Sequence, residues 1–467
     1  MITNERTTVR LGLLLTVLVA FMLFFVRALS AQDTIPVMRL TLGDAARLAA
    51  RQSALVAGAR ERVNEAQARV RQSRSALLPD VSANAVQSGR TLNSATFGFN
   101  FPSPPGQPPI LNPAGEIIGP FNTLDLRGRV QANLLDLSAL QRVHAAESAV
   151  SAASADVSSS AESAAAQAAS AYLQVLRSDA QLQARVADST LATELLGIAQ
   201  QQLRAGVGVA LDVTRARSQL AGVRAQLISA RNDRDRSRLN LRRALNLPLD
   251  APLELADSLA DETQENLTLD AAAATARALR DRPDLRAAEA QLRAAQQQVT
   301  AIRSERLPSI SAFGDDGVVG GNTDRLFGGT TSRMLPTYEY GIQLSVSLFD
   351  GFRREGRVQE QQAVTRELQV RRRDLEQQAE TEVRSTLLDL SSARQEVDAA
   401  RERLQLAEQE VQQARERFRA GVAGNADVVT ASLTLNAARS QYVDALTALQ
   451  GARVSLARAE GAVTQLR

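Results

Sequence analysis

The sequence predicts a mainly α-helical chain in which long antiparallel coiled-coil helices are combined with four short β-strands able to enter a membrane. Three observations carry this. Apolar residues recur every seven positions over a very long stretch, two segments alternate apolar with polar residues, and the whole layout occurs twice. The chain of 467 residues is long enough for one large domain or two to three ordinary ones.

Composition narrows the class. There is no cysteine, which excludes disulfides, thiolate metal sites and cysteine nucleophiles. There is no tryptophan and only 3% aromatic residues, lean for a compact core. All 54 basic residues are arginine, set against 51 acids. Without lysine or cysteine, little titrates between neutral pH and about 10. A net charge of only +3 therefore gives an isoelectric point near 9.8. The arginines are interleaved with Glu and Asp, so this is a solvated helical surface and no nucleic-acid partner is expected.

At the N-terminus, Arg6 and Arg10 precede an apolar run from Leu11 to Val26, and Ala28–Ser30 supplies small residues for cleavage. Residues 1–30 are expected to be a secretory signal peptide; a membrane anchor is the alternative, for which the run is slightly short. Cleavage removes three arginines and one glutamate and takes the net charge from +3 to +1. No cysteine follows the run, so a lipid anchor is not expected, and no later segment is apolar enough for a transmembrane helix.

The remainder divides into two structural repeats, 31–266 and 267–467. LTLGDAARLA at Leu40–Ala49 corresponds to LTLDAAAATA at Leu267–Ala276, and LLPDVSA at Leu77–Ala83 to RLPSISA at Arg306–Ala312. NLLDLS at Asn133–Ser138 corresponds to SLFDGF at Ser347–Phe352. RAGVGVALDV begins at Arg204 and RAGVAGNADV at Arg419, with offsets between the pairs running from 214 to 229 residues. Leu245–Asn266, rich in proline and acids, reads as the linker.

Each half is predicted to run helix, strand, loop, strand, very long helix, break, helix. The strands are expected at about 79–89 and 124–135 and at about 308–318 and 338–349. In the last of these, Tyr338, Tyr340, Ile342, Leu344, Val346 and Leu348 alternate with Glu339, Gly341, Gln343, Ser345 and Ser347. This fits a tilted membrane strand as well as a half-buried soluble one. In the long helix after Phe352, Val383, Leu390, Val397, Leu404, Val411 and Phe418 form a heptad series. Alanines at 393, 400, 407 and 414 follow three residues later and permit close helix approach. Such a helix is about 100 Å long at about 1.5 Å per residue and needs partners along its length.

An exported chain without a membrane helix can insert only through its strands, and four are too few to close a barrel with a lumen. Open edges cannot face lipid, so several chains must share one barrel; a trimer gives twelve strands, and its helices would continue as a tunnel. Arg127, Arg129, Gln131 and Gln343 would then line water and the apolar face would meet lipid.

With these features the sequence resembles the TolC-like outer-membrane efflux proteins, over essentially the whole mature chain. The resemblance rests on the duplicated order of the LTL starts, the LP-strand starts, LFDGFRREGRV at Leu348–Val358 and the paired RAGV…D motifs. It implies a homotrimer with a twelve-stranded barrel in the outer membrane of a Gram-negative bacterium and an α-helical barrel in the periplasm. It further implies a duct for export from an inner-membrane pump, proton-driven or ATP-driven, through a periplasmic adaptor of the membrane-fusion type. The turns Arg204, Ala205, Gly206, Val207 and Arg419, Ala420, Gly421, Val422 would be adaptor-docking hairpin tips and form the gate.

Gly206 and Gly421 have a structural role whatever the function, since a reversing helix ends readily on a left-handed glycine. Asp212 and Asp427 could each cap or charge the first turn of a returning helix. The resemblance assigns Asp427 to a ring of carboxylates at the periplasmic gate, while Asp212 is expected to cap its helix. Thr430 replaces a second acid found in some members, leaving three carboxylates per trimer. The resemblance puts Asp427, Asp212, Phe418 and Leu211 at the periplasmic gate; where tightly closing members carry polar ties, this chain has Leu211, Phe418 and Ala423, so a weaker lock is expected. His144 stands alone, and neither a phosphate-binding glycine loop nor a carboxylate pair is present, so no enzyme and no cofactor are expected. The alternative function is a non-pore periplasmic or surface coiled-coil scaffold; among ducts, drug or metal efflux and type I protein secretion both stay open.

Overall fold

The computed structural model describes residues 38–97, 105–106, 115–259, 270–322, 334–422 and 424–466. The expected signal peptide, Ala423 and part of the expected linker lie outside the described residues. No helix among the described residues is long and apolar enough to cross a membrane.

The elements run β1 (Met38–Leu40), α1 (Leu42–Gln52), α2 (Ala54–Ser75), β2 (Asp80–Asn93), β3 (Ile117–Asp136), α3 (Leu137–Arg204), α4 (Ala210–Ala244), β4 (Leu253–Leu255), α5 (Ala271–Asp281), α6 (Pro283–Ser304), β5 (Ser309–Asn322), β6 (Leu335–Ser345), α7 (Arg353–Arg419) and α8 (Asn425–Glu460). β2, β3, β5 and β6 form one antiparallel sheet in that order. At one end of this sheet the chain passes into α3 and α7, of 68 and 67 residues. These span about 100 Å each at about 1.5 Å per residue. Each long helix is covered near the sheet by a shorter one and near its far end by the helix that folds back on it: α2, α6 and α4 for α3, and α6 and α8 for α7.

The strands depart from the sequence expectation at their ends. β2, β3 and β5 each run several residues further into segments that read as loops. The glycines that signalled a loop in β5 serve the sheet instead. A Cβ on Gly317 would lie 2.2 Å from the Leu126 carbonyl oxygen, and one on Gly321 would lie 2.3 Å from that of Asn122. Close approach of β3 therefore requires glycine there. β6 ends at Ser345 instead of 349, because Ser345 pairs with Ser309, the first residue of β5. Among the described residues, the next positions have no strand to pair with.

Between the sheet and the helix tips lies an alanine-rich core. β1 pairs in parallel with β4, so the segment that read as a linker carries a strand. Tyr172, fully buried on α3, donates its hydroxyl to the Leu40 carbonyl oxygen at 2.8 Å and to Asp257 at 3.0 Å. Asp257 also accepts from the Leu42 backbone N–H at 2.7 Å. Burial, and then the neighbouring Asp257 charge, push the Tyr172 hydroxyl well above its ordinary range, so it stays a donor. Nearby, Arg282 is buried and held by Asp284 at 2.7 Å and Glu382 at 2.6 Å. Burial raises the Asp284 carboxyl, but the hydrogen bonds and charge of Arg282 more than offset this and hold it below its ordinary value.

At the far end, α3 and α7 stop by the same device. Gly206 and Gly421 take φ of +76° and +71°. The Val207 N–H donates to the Gln202 carbonyl and Gly206 to Leu203, at 3.1 Å each; Val422 donates to Arg417 at 3.0 Å and Gly421 to Phe418 at 3.1 Å. These paired bonds form a Schellman motif at each tip.

Two outcomes follow from this packing. Tyr172→Phe removes one of two donors to the Leu40 carbonyl, which keeps the Ala256 N–H at 2.8 Å, and is expected to destabilise the protein by about 0.5–1.5 kcal/mol, read from denaturant unfolding followed by circular dichroism. An unchanged midpoint would show that the hydroxyl does not hold β1 to α3. Gly206→Ala and Gly421→Ala meet open space but force a side chain into the left-handed region, at a cost of about 1–2 kcal/mol. Gly58→Ala, inside α2 and also facing open space, is expected to stabilise by roughly 0.5–1 kcal/mol. Equal effects at the three glycines would refute the conformational account.

Candidate functional site: the hairpin tips and the polar sheet face

The sequence folds back at each tip because glycine ends one helix and a first-turn acid begins the next. Asp212 is not the cap of its helix. The N-cap of α4 is Val209, without a side-chain cap, and Asp212 stands in the first turn, half-buried. Asp427 occupies the same position on α8, whose N-cap is Gly424, and is exposed. Neither helix has a side-chain cap bond, so each carboxylate acts on its helix through the dipole.

Arg204, Ala205, Gly206 and Val207 are exposed at the first tip, and Arg419, Ala420, Gly421 and Val422 at the second. Val207 and Val422 are 78% and 74% exposed, and Leu211 is 54% exposed beside them. The tips thus present small apolar side chains, while the turn N–H groups are spent on the last helical carbonyls, Gln202 and Leu203 at one tip and Arg417 and Phe418 at the other. Phe418 does not face the mouth. It is 2% exposed and lies in a cluster with Leu195, Ala199, Val213, Ala216 and Val428, drawn from all four hairpin helices. The heptad explains this: Phe418 is the last of the series that starts at Val383 and follows the same inward face.

Polar ties exist near the tips, and apart from Arg419 their side chains are ones the sequence did not single out. The Gln202 side-chain amide donates to the Phe418 carbonyl oxygen at 2.6 Å. Asn425, fully buried, donates to the Asp212 carbonyl oxygen at 2.9 Å. Glu194 on α3 pairs with Arg415 and, at 3.1 Å, with Arg419 on α7. The expectation of a weak lock considered only Leu211, Phe418 and Ala423. Glutamine and asparagine bonding to backbone carbonyls leave no periodic or charge signal by which a sequence could show them.

On the sheet, register puts Arg127, Arg129, Gln131 and Gln343 on one face. Asp315 on β5 joins them, its side chain 2% exposed, and binds Arg127 at 3.2 Å and Arg129 at 3.5 Å. Arg127 also holds Asp125 at 2.9 Å. Asp315 lies within the strand expected at about 308–318, but nothing in the sequence marked it as a partner of Arg127. Phe313, Val86, Val319 and Leu335 are apolar residues on this face; the Phe313 ring lies over Gly341, where a Cβ would come within 2.9 Å of it. The opposite face carries Val81, Leu124, Leu126, Val130, Tyr338, Tyr340, Ile342 and Leu344, all exposed. His144 is exposed near the start of α3. Charged groups here are paired in ways that hold strands and helices together, and no reacting group is poised against a cleft.

A sequence profile of outer membrane efflux proteins matches residues 45–247 and 274–462. The chain is 28% identical over 375 residues to the toluene efflux pump outer membrane protein TtgF of Pseudomonas putida, covering 79% of this chain and 72% of that one. It is 29% identical over 296 residues to protein CyaE of Bordetella pertussis, covering 62% of this chain and 60% of CyaE, less than two thirds of that relative's length. The fold is shared with the outer membrane protein VceC of Vibrio cholerae, at a TM-score of 0.68 and 19% identity over 90% of this chain and 96% of that one. It is shared equally with the CmeC outer membrane channel of Campylobacter jejuni, at a TM-score of 0.69 and 18% identity over 90% and 85% of the two chains. The chain belongs to the outer membrane efflux protein family, whose members are channels of the outer membrane and not enzymes.

Proposed function

We propose that three copies of the chain close their sheets into one twelve-stranded barrel in the outer membrane, with α3, α4, α7 and α8 continuing as a periplasmic tunnel. The duct passively conducts substrates that an inner-membrane pump, proton-driven or ATP-driven, delivers through a periplasmic adaptor. The observation that carries this is the sheet itself. Among the described residues its β2 and β6 edges are unpaired, one face is exposed and mainly apolar apart from Asp316, and the other is mainly polar and charged. Only closure by further copies puts the apolar face in lipid with every backbone group satisfied. The exposed apolar tips, about 100 Å from the sheet, suit a partner reaching from the inner membrane. Residues 1–30 direct export in this scheme.

Cargo is set by the pump. TtgF is a toluene efflux component, which favours small molecules here over secreted proteins. The polar sheet face mixes Asp125, Asp315 and Glu339 with Arg127 and Arg129, which suits passage of solutes of either charge.

The purified protein is expected to fractionate with outer membranes, to run as a trimer that heat dissociates, and to carry current across planar bilayers. Release by a salt wash as a monomer would instead support a coiled-coil scaffold. If Asp427 forms the carboxylate ring at the mouth, Asp427→Asn reduces cation preference, read as a smaller reversal potential in a salt gradient. An unchanged potential would place the ring elsewhere.

A further inference from the structure

The register of the sheet fixes where its two open edges stand relative to each other. Backbone pairing runs straight across from Asp80 on β2 through Gln131 and Phe313 to Gly341 on β6, so Asp80 and Gly341 are level. A closed barrel cannot keep them level, because its strands must tilt by about 35–45°. Across the four strands of one copy, at about 4.8 Å spacing, that tilt amounts to a rise of about 13–19 Å, or about four to six residues at roughly 3.3 Å each. Only an even stagger keeps the apolar face continuous from copy to copy. The chain itself sets the direction. Staggered the other way, Gly341 runs past the start of β2 towards the end of α2 at Ser75.

We propose that β6 of one copy pairs antiparallel with β2 of the next at a stagger of six residues, so that Gly341 faces Val86 and Ser347 faces Asp80. This rests on the barrel proposed above and adds the identity of the residues that meet at its seams. Side chains choose between a stagger of four and one of six. At four, the Glu339 carboxylate faces Val86, which offers it no hydrogen bond. At six it faces Ser88, whose hydroxyl lies 2.8 Å from that of Thr123 and can accept from it while donating to Glu339. Val86, 54% exposed in the single chain, then faces Gly341, over which the Phe313 ring already lies. Two apolar side chains on a mainly polar face are thereby brought together across the seam. Gln343 meets Asn84, and their amides can bond to each other. On the opposite face Tyr338 covers Gly89, an edge glycine of the kind that a cross-strand aromatic shields. Backbone pairing agrees. A stagger of four ends at Ser345 and leaves Val346 and Ser347 unpaired. A stagger of six gives them Val81 and Asp80 and stops where the chain bends at Leu348. The alternation that outruns β6 in the sequence thus finds its strand partner in the next copy.

The chain has no cysteine, so thiols can be placed one pair at a time. Glu339→Cys is combined in turn with Val86→Cys, Ser88→Cys and Arg90→Cys, which report staggers of four, six and eight residues. The full chain in outer membranes is oxidised with copper phenanthroline, and non-reducing gels read the rate at which linked dimers and trimers form. The Ser88 pair is expected to link at least about fivefold faster than either neighbour, whose side chains stand on the diagonal about 7–8 Å away. Val346→Cys with Val81→Cys is expected to link as well, which a strand ending at Ser345 would not allow. Failure of that pair, or equal or faster linking through Val86 or Arg90, overturns the register and leaves the barrel in place. Failure of every pair in a protein that still runs as a heat-dissociable trimer and conducts does the same. A monomer that neither links nor conducts overturns the barrel and this inference with it.

Discussion

The unpaired edges of β2 and β6 are the constraint on which the rest of the molecule turns. An open backbone edge costs several kcal/mol for each unsatisfied group in lipid, and among the described residues nothing covers either one. The sheet has an apolar face that water does not favour and two edges that lipid does not tolerate. In the proposed duct, assembly answers this at the level of peptide hydrogen bonds. The early end of β6 belongs to the same constraint: residues beyond Ser345 outrun β5.

The helical part meets a different demand, that of keeping helices of 68 and 67 residues straight and packed. A heptad with small residues at every second apolar position lets neighbours approach closely, and the surplus of arginine paired with acids keeps the outer faces wet. Ion pairs between exposed groups contribute little each, so the apolar seam and the buried polar contacts at Asp188, Arg282 and Tyr172 decide how the helices sit.

Period and punctuation made most of the helical architecture legible in the sequence. The heptad from Val383 to Phe418, the glycines at 206 and 421, and the alternation of Tyr338 to Leu348 each reflect one dominant local force. What stayed illegible was decided by partners distant in sequence. The glycines of β5 read as turns because their purpose, room for β3, lies almost 200 residues away. β4 is three residues long and acquires its strand conformation only by pairing with β1. Phe418 was placed at the mouth by analogy of position, although its own heptad already pointed inward. Gln202 and Asn425 bond to backbone carbonyls, and a carbonyl carries no residue identity for a sequence to display.

The equatorial core carries a consequence for the order in which the chain matures. Arg47 bonds to the Leu466 carbonyl oxygen at 2.8 Å across 419 residues of sequence, and Gly43 stands where any Cβ would strike that same carbonyl. β1 likewise waits for β4, 215 residues later. The hairpins α3–α4 and α7–α8, in contrast, need only contacts that a short turn delivers. Local contacts form fast and distant ones slowly, so the helical hairpins are in place early and the ring of contacts around Tyr172 and Arg47 closes last. A chain that emerges from a translocation pore N-terminus first thus holds α1 unfinished until Leu466 has crossed. In the proposed duct, this delays the alignment of the sheet edges for meeting other copies until the chain has emerged at least that far.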